Sequence, residues 1–455
     1  MTTARIILKE VLVDDCGKTL SEKIISDKKV ITPTDISNFG YTHSEQLNIM
    51  GNFQQSFLDA QAKLLDEPPK QCPRCSAKVW KHDQRESDFQ HVFSSHKVKL
   101  QGWRCSSNDC TWSYRPSIKK LLSGKTHIDL VKLKTEYGSN QSYREAAKGL
   151  KRIVGENRKD INAMSIQRTT KESGNLLSTS TRMISTEKDK SAEPQIAVAK
   201  ELCVVVDGGH VHDANHKGHN FEVMTSKTYR PENVIRIDKN HTEIISKDCA
   251  ASAKYDKQET MKCHLIEATK KQGVDKNVTV VTGLADGAKN CWNILESLSP
   301  FCLSIIYILD WFHIGKYIQN MKKSIPILEE VFENIREFLW HGNDEAALSL
   351  LSEVLFSTTD VKQQRLLKNF FDYINDNQTR IVNYDERQRA SLIFSSHVAE
   401  STVEHLLNRR AKKKQKMQWS RDGLHTVMQI RCSQASARWN SDWDKISDLM
   451  LIKAA

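Results

Sequence analysis

The 455-residue sequence has no apolar run approaching the ~20 residues that a membrane helix needs. An α-helical membrane anchor is therefore not expected. The start, Met1-Thr2-Thr3-Ala4-Arg5, lacks the apolar h-region of a secretory signal, so the chain is expected to stay in the compartment where it is made. There is no internal repeat, which argues against a solenoid or propeller. Acidic residues are the scarcer charge: 56 Asp and Glu against 67 Lys and Arg, a formal net charge of +11. A basic excess attracts phosphates and releases counterions from DNA or RNA.

What is present fits a soluble multidomain protein, 39% hydrophobic and 27% charged, with a length that suggests two to four domains. Eleven cysteines in a reducing compartment are not expected to pair as disulfides. Four of them cluster. Cys72-Pro73-Arg74-Cys75 and Cys105-Ser106-Ser107-Asn108-Asp109-Cys110 make two knuckles in one polar segment. Four thiolates close a tetrahedral Zn²⁺ site. The intervening Val92, Val98, Leu100 and Trp103 are candidates for the strands of a zinc ribbon.

The chain divides by texture. Residues 1–66 read as a short strand at Ile6-Ile7-Leu8 and a helix over 44–65, with no legible role. Pro68-Pro69 opens the ribbon-like segment, 67–116. Residues 117–177 read as two or three helices. Within them Ser142 and Glu145 make a capping box, and a second helix is expected from Asn162 or Ser165. The pair resembles a helix-turn-helix, whose second helix would present Gln167, Arg168 and Lys171 to DNA; a plain helical hairpin is the alternative. Residues 178–199 are rich in Ser, Thr and Lys and read as a linker.

Buried-strand runs then alternate with helices: Leu202–Val206, Val278–Val281 and Ile305–Leu309 are strands, 221–238 is a hairpin, and 257–272 is a helix. This pattern implies an α/β domain with a central sheet over 200–320. Residues 321–391 carry only helical periodicity, with Gly342 fit for a helix C′ position. Residues 392–435 would supply the last helix of the core and a basic segment, and 436–455 a C-terminal tail.

Two acids follow apolar strands: Asp207, in Val204-Val205-Val206-Asp207-Gly208-Gly209, and Asp286, in Leu284-Ala285-Asp286-Gly287. Acids at strand ends of an open α/β sheet face the crevice where ligands bind. Two that converge repel each other unless a cation lies between them, and hard oxygen ligands suit Mg²⁺ or Mn²⁺. An Asp-Gly is also an ordinary turn after a strand. A third acid is expected from the late helix, where Glu400 and Glu404 share a face. The physics of the residues does not choose between them.

Val206-Asp207-Gly208, Leu284-Ala285-Asp286-Gly287-Ala288, Ile308-Leu309-Asp310-Trp311-Phe312-His313 and the Glu400-Ser401 helix running to Trp419-Ser420 together resemble bacterial insertion-sequence transposases of the ISKra type, relatives of the Mutator-like elements. Leu339-Trp340-His341-Gly342 resembles the helical insertion of that family. The resemblance spans roughly 200–435. It implies an α/β catalytic core of RNase H-like fold with an all-helical insertion, an N-terminal zinc ribbon and a helical DNA-binding region. It implies a DDE triad of Asp207, Asp286 and Glu400, choosing Glu400 over Glu404, with two Mg²⁺ or Mn²⁺ ions and a structural Zn²⁺ on Cys72, Cys75, Cys105 and Cys110. Asp310 and His313 match a D-x-x-H signature that orients DNA. Where relatives often have a Gly-Ser-Gly-like turn before the Glu-Ser pair, this chain has Ser395-Ser396-His397.

The basic run Arg409, Arg410, Lys412, Lys413, Lys414 and Lys416 is expected to track a DNA backbone, and Trp419 either to stack on a base or to pack. The implied activity is Mg-dependent cleavage and transfer of DNA strands at the terminal inverted repeats of a mobile element. Its partners would be the element's ends, target DNA and further copies of the chain on paired ends, in a bacterial, nucleoid-associated cytoplasmic setting. The rival expectations are an RNase H-like nuclease that does not join strands, and a non-catalytic DNA-binding derivative.

Overall fold

The structure, a computed structural model, describes residues 4–65, 70–122, 124–186, 196–238, 242–396, 403–412 and 417–452, and for residues 38, 181–186, 236, 451 and 452 the backbone alone. Pro68, Pro69, residues 187–195, the triad candidate Glu400 with its neighbours His397 and Ser401, and the basic residues Lys413, Lys414 and Lys416 lie outside the described residues. The fold is mixed α/β, and the chain splits into two compact units: Met1–Thr170 with Trp443–Ala455, and Lys171–Asp442. Among the described residues no helix is long and apolar enough to cross a membrane.

In the first unit, strands β1 (Arg5–Val13) and β2 (Thr19–Lys29) form an antiparallel hairpin. The expected Ile6–Leu8 strand is thus longer and paired. Helix α1 (His43–Leu65) follows, opened by a reciprocal box in which Glu45 N donates to Thr42 Oγ1 and Thr42 N to Glu45 Oε2. The ribbon segment is the antiparallel pair β3 (Val79–Gln90) and β4 (Ser95–Cys105), with β5 (Ser113–Tyr114) beyond β4. Alternation along β4 buries His96, Val98 and Leu100, and the last two pack with Ala62 and Ile118.

Four helices follow, α2 (Ile118–Leu122), α3 (Ile128–Asn140), α4 (Tyr143–Val154) and α5 (Ala163–Thr186). The capping box at α4 is made as the sequence suggests: Ser142 Oγ donates to Glu145 Oε2 and accepts from Glu145 N. Asn162 Oδ1 accepts from Ser165 N at the start of α5. Leu130, Ala146, Leu150, Val154, Ile161 and Ile166 are the shared core of α3 to α5. Residues 178–186, expected as linker, are the last turns of α5. Their Ser and Thr hydroxyls bond back to the helix, Thr179 Oγ1 to Asn175 O and Ser180 Oγ to Leu177 O, so polarity did not end it.

The second unit is built on a mixed sheet. Its strands are β6 (Glu201–Asp213), β7 (Asn220–Tyr229), β10 (Asp248–Ser252), β11 (Val280–Ala285) and β12 (Ser304–Leu309), in the order β10-β7-β6-β11-β12. Strand β7 runs antiparallel to both its neighbours, β10 and β6; β6, β11 and β12 are parallel. A small hairpin, β8 (Val234–Arg236) with β9 (Thr242–Ile244), stands apart. The hairpin expected over 221–238 is therefore corrected: residues 221–229 pair with β6, because the long strand after Val206 offers a continuous edge.

Helices α6 (Glu259–Lys271) and α7 (Lys289–Glu296) connect the strands. The helical stretch is α8 (Trp311–Ser324), α9 (Glu329–Trp340), α10 (Asp344–Ser357), α11 (Val361–Asp376) and α12 (Tyr384–Arg389). Phe332, Ile335, Leu339, Leu351, Leu367 and Phe370 join the core of the sheet. A π-helical turn (Val403–Asn408), α13 (Arg409–Ala411), the short strand β13 (Gln418–Trp419), α14 (Arg421–Ala435) and α15 (Trp439–Ile452) complete the chain. The expected tail, 436–455, is thus largely a helix, with Trp443 and Ile446 buried at helical spacing.

Candidate active site

Strand register brings three acids to one level. Val206 pairs with Ala285, and Ala285 with Leu309, on adjacent parallel strands. The next residue on each strand is Asp207, Asp286 and Asp310. Asp286 and Asp310 stand past the ends of β11 and β12, as expected. Asp207 does not end its strand. Its partner β7 continues beside it, so β6 runs on through Gly208 and Gly209 to Asp213. The Asp-Gly at 207 is not a turn.

The glycines serve close approach instead. A Cβ on Gly209 would lie 2.5 Å from Leu407 Cδ2 and 3.0 Å from Val403 Cγ1. Alternation along β6 puts Gly209 on the same face as Asp207, so the π-helical turn lies over the face that carries Asp207. Gly287 has φ +99°, and a Cβ there would meet Tyr373 Cε2 at 2.8 Å. Tyr373, on α11, donates its hydroxyl to Asp286 O at 3.0 Å, and Tyr384, on α12, donates to Leu309 O at 2.7 Å. The helical insertion thereby grips the ends of β11 and β12. Its motifs meet there: the Trp311 ring lies 4.9 Å from Trp340 and 4.8 Å from Tyr384.

The three acids differ in their surroundings. Burial pushes the Asp207 carboxyl above its usual range; His313 opposes this, while the charges of Asp286 and Asp310 add to it. The Asp286 carboxylate accepts from Ala288 N at 3.0 Å. Beside it Cys291 is pushed up by burial and by the Asp286 charge. Asp310, 1% exposed, accepts four hydrogen bonds. They come from Phe312 N (3.1 Å), His313 Nδ1 (3.0 Å), Ser396 N (2.9 Å) and Ser396 Oγ (2.5 Å). Burial would raise this carboxyl, but the His313 and Ser396 bonds outweigh it and hold it below its usual value. Burial works against the His313 imidazolium, and the Asp310 bond with the nearby acids outweighs it and raises that group. Asp310 is thus the N-cap of α8 and the holder of His313 and Ser396.

Ser396 was not singled out from sequence; only its place in the turn before Glu400 hinted at it. Tyr373 and Tyr384 gave no signal, because their partners are backbone carbonyls far away in the chain. Glu404, the rival third acid, is exposed and accepts from Asn408 Nδ2 at 2.8 Å. Among the described residues, Glu404, Asp207 and Asp286 belong to no group of three or more ligand atoms within 4.8 Å of one another.

Arg409 and Lys412 are exposed. Arg410, expected to track DNA, and Trp419, expected to stack on a base or to pack, are both buried, with the Arg410 guanidinium 4.6 Å from the Trp419 ring centroid. β13 hydrogen-bonds to the far end of β6 and draws Trp419 into a core with Val211, Leu407 and Leu424. Its ring packs rather than stacks on a base.

In the other unit, the four expected cysteines converge. Cys72, Cys75, Cys105 and Cys110 place their Sγ atoms within 4.8 Å of one another. The pairs Cys72–Cys110 and Cys75–Cys105 are 3.7 and 3.3 Å apart. A Zn–S length near 2.3 Å implies tetrahedral S···S distances of about 3.8 Å. Arg74 N and Ser107 N donate to Cys72 and Cys105 Sγ at 3.4 Å, which favours thiolates. The cluster can hold a structural Zn²⁺.

The family model described as "Uncharacterised protein family (UPF0236)" matches residues 119–445, well over half of the chain. The chain belongs to this family. The match of the UPF0236 chain spans the helices α3 to α5 and the whole sheet and helical insertion. No curated protein matches it. Among solved structures it is similar to the Drosophila P element transposase strand transfer complex, at 9% identity and a TM-score of 0.31, over 69% of this chain and 93% of that one.

Proposed function

We propose that this UPF0236 protein is a DDE-type transposase of the ISKra kind, with Asp207, Asp286 and Glu400 as its metal-binding triad. One observation carries the reading. Asp207 and Asp286 lie level on adjacent parallel strands, and the turn that follows Glu400 packs over Gly209, on the face that carries Asp207. The sheet order, three antiparallel strands joined to two parallel ones, is in keeping with an RNase H-like core. The helical stretch falls between the second and third acids, where the resemblance puts the insertion.

Hard carboxylate oxygens, one on a partly desolvated residue beside another acid, suit Mg²⁺ or Mn²⁺. Two such ions, when bound, supply an activated water or 3′-hydroxyl and neutralise the leaving oxygen. The chain's own residues do the rest. Asp310 orients His313 beside the acids and favours its protonated form, which would attract the scissile phosphate. Exposed Arg409 and Lys412 draw the DNA backbone to the same edge. Helices α4 and α5 recognise the terminal inverted repeats, and the cysteine cluster holds Zn²⁺. The protein acts in a bacterial cytoplasm, as an oligomer on paired ends.

The test is to incubate the full chain with DNA flanking its own gene, a target plasmid and Mg²⁺. Joined products that vanish with Asp207→Asn support transposition. Cleavage without joining would favour a nuclease, and binding alone a regulator.

A further inference from the structure

Metal-ligating side chains gather at one more place, in the unit that holds the cysteine cluster. His91, His127 and Asp129 each bring a ligand-type atom within 4.8 Å of the others. The backbone sets them side by side: Gln90 N donates to Lys125 O at 2.7 Å, and His127 N to Gln90 O at 2.8 Å. The end of β3 is thereby clipped to the residue before α3. The His91 and His127 ring centroids are 4.5 Å apart, at 60°. His127 Nδ1 lies 3.4 Å from Asp129 Oδ2. Arg158 fixes the hairpin from behind, donating to His91 O and Val92 O, and its charge is matched by Asp160 at 2.7 Å.

A second, independent observation points to a ligand. His91 is 8% exposed, and its Nδ1 is buried with no hydrogen-bond partner. Leaving one buried polar atom unmatched costs about 1–3 kcal/mol. The neighbouring cavity, about 580 Å³, is lined by both His91 and His127 together with Phe57, Leu58, Ala62 and Phe89.

We propose that His91, His127 and Asp129 form a second metal site, distinct from the cysteine cluster, that takes a divalent transition ion of the zinc class. Two imidazole nitrogens and one carboxylate oxygen suit Zn²⁺, Co²⁺ or Ni²⁺ rather than Mg²⁺ or Ca²⁺. Three protein ligands leave a fourth position for water, with room in the cavity. The ion ties the tip of the β3–β4 hairpin to the first turn of α3, so the ribbon and the following helices become one metal-locked body. The site does not depend on the reading of Asp207 and Asp286.

The full chain, stripped with chelator, reloaded with Zn²⁺ and desalted, should carry two ions by elemental analysis. His91→Ala or His127→Ala should carry one, and Cys72→Ser with Cys75→Ser should lose the other. With Co²⁺, the histidine variants should keep the thiolate charge-transfer band and lose the ligand-field bands of the nitrogen–oxygen site. Asp129 is exposed, so Asp129→Asn tests the site without risk to folding and should weaken the second ion about tenfold or more. One zinc in the wild type, unchanged in His91→Ala and Asp129→Asn, would overturn the site and leave the cysteine cluster standing.

Discussion

Asp207 and Asp310 occupy equivalent levels of two parallel strands, with Asp286 between them, yet the structure treats them oppositely. Asp310 is buried under four donors and held ionised below its usual range. Asp207 is met by the Gly208 N–H and is pushed up by burial. Position on a sheet therefore does not decide what a carboxylate does; the supply of donors does. A saturated carboxylate has no lone pair left for a metal and becomes a structural anchor. An undersupplied one beside another acid keeps lone pairs that a cation could take.

The sharpest way to break this contrast is to neutralise each acid in turn. Asp207→Asn and Asp286→Asn should each lower Mg²⁺-dependent cleavage and joining by about 10³-fold or more. The folded pKa of Asp207 is raised, so its ionisation opposes folding above the usual carboxylate range. Asp207→Asn should therefore melt at or above the wild-type temperature in metal-free buffer at neutral pH, as followed by circular dichroism. Asp310→Ala should do the reverse, costing about 3 kcal/mol in denaturant melts, because it strands buried donors and removes the cap of α8.

The Asp310–His313 pair also has a pH signature. Asp310 is lowered, so its contribution is present above the unfolded carboxylate pKa, about 3.9, and is lost as pH falls through the lower folded value. His313 is raised, so its contribution is full below about 6.5 and is lost as pH rises through the higher folded value. The wild type should be most stabilised between those limits, and His313→Gln should flatten the alkaline slope of melting temperature against pH. Ser396→Ala removes one donor to Asp310 and keeps the other, so it should cost about 1 kcal/mol in the same melts. Glu404→Gln should change neither joining nor stability beyond about 0.5 kcal/mol; loss of joining would return Glu404 to the triad.

Much of the scaffold was legible. Leu202–Val206 and Ile305–Leu309 announced strands because they are short, continuous and apolar, and the helical stretch announced itself by spacing. What was not legible depended on distant partners. Strand β6 continues through Gly208-Gly209-His210, which carries no strand signal, because β7 supplies its ladder. Strand β10 is Asp-Cys-Ala-Ala-Ser, too small and polar to stand out, and is held by β7 and by Gln429 of α14 bonding to Ala251 O. Trp419 sat beside a basic run, yet β13 pairing buries it. At the site, the Asp-Gly motifs singled out two carboxylates that strand register sets level, for partly the wrong reason. The close approaches are by Leu407 at Gly209, one residue past the first motif, and by Tyr373 at Gly287.

The most direct test of the central claim is an exchange of metal preference at Asp207. Strand joining should be measured for wild type and Asp207→Cys, in Mg²⁺ and in the more thiophilic Mn²⁺. Direct metal contact predicts wild-type joining in both ions, and for the variant loss in Mg²⁺ with partial recovery in Mn²⁺. Joining by Asp207→Cys in Mg²⁺ at the wild-type rate would contradict it.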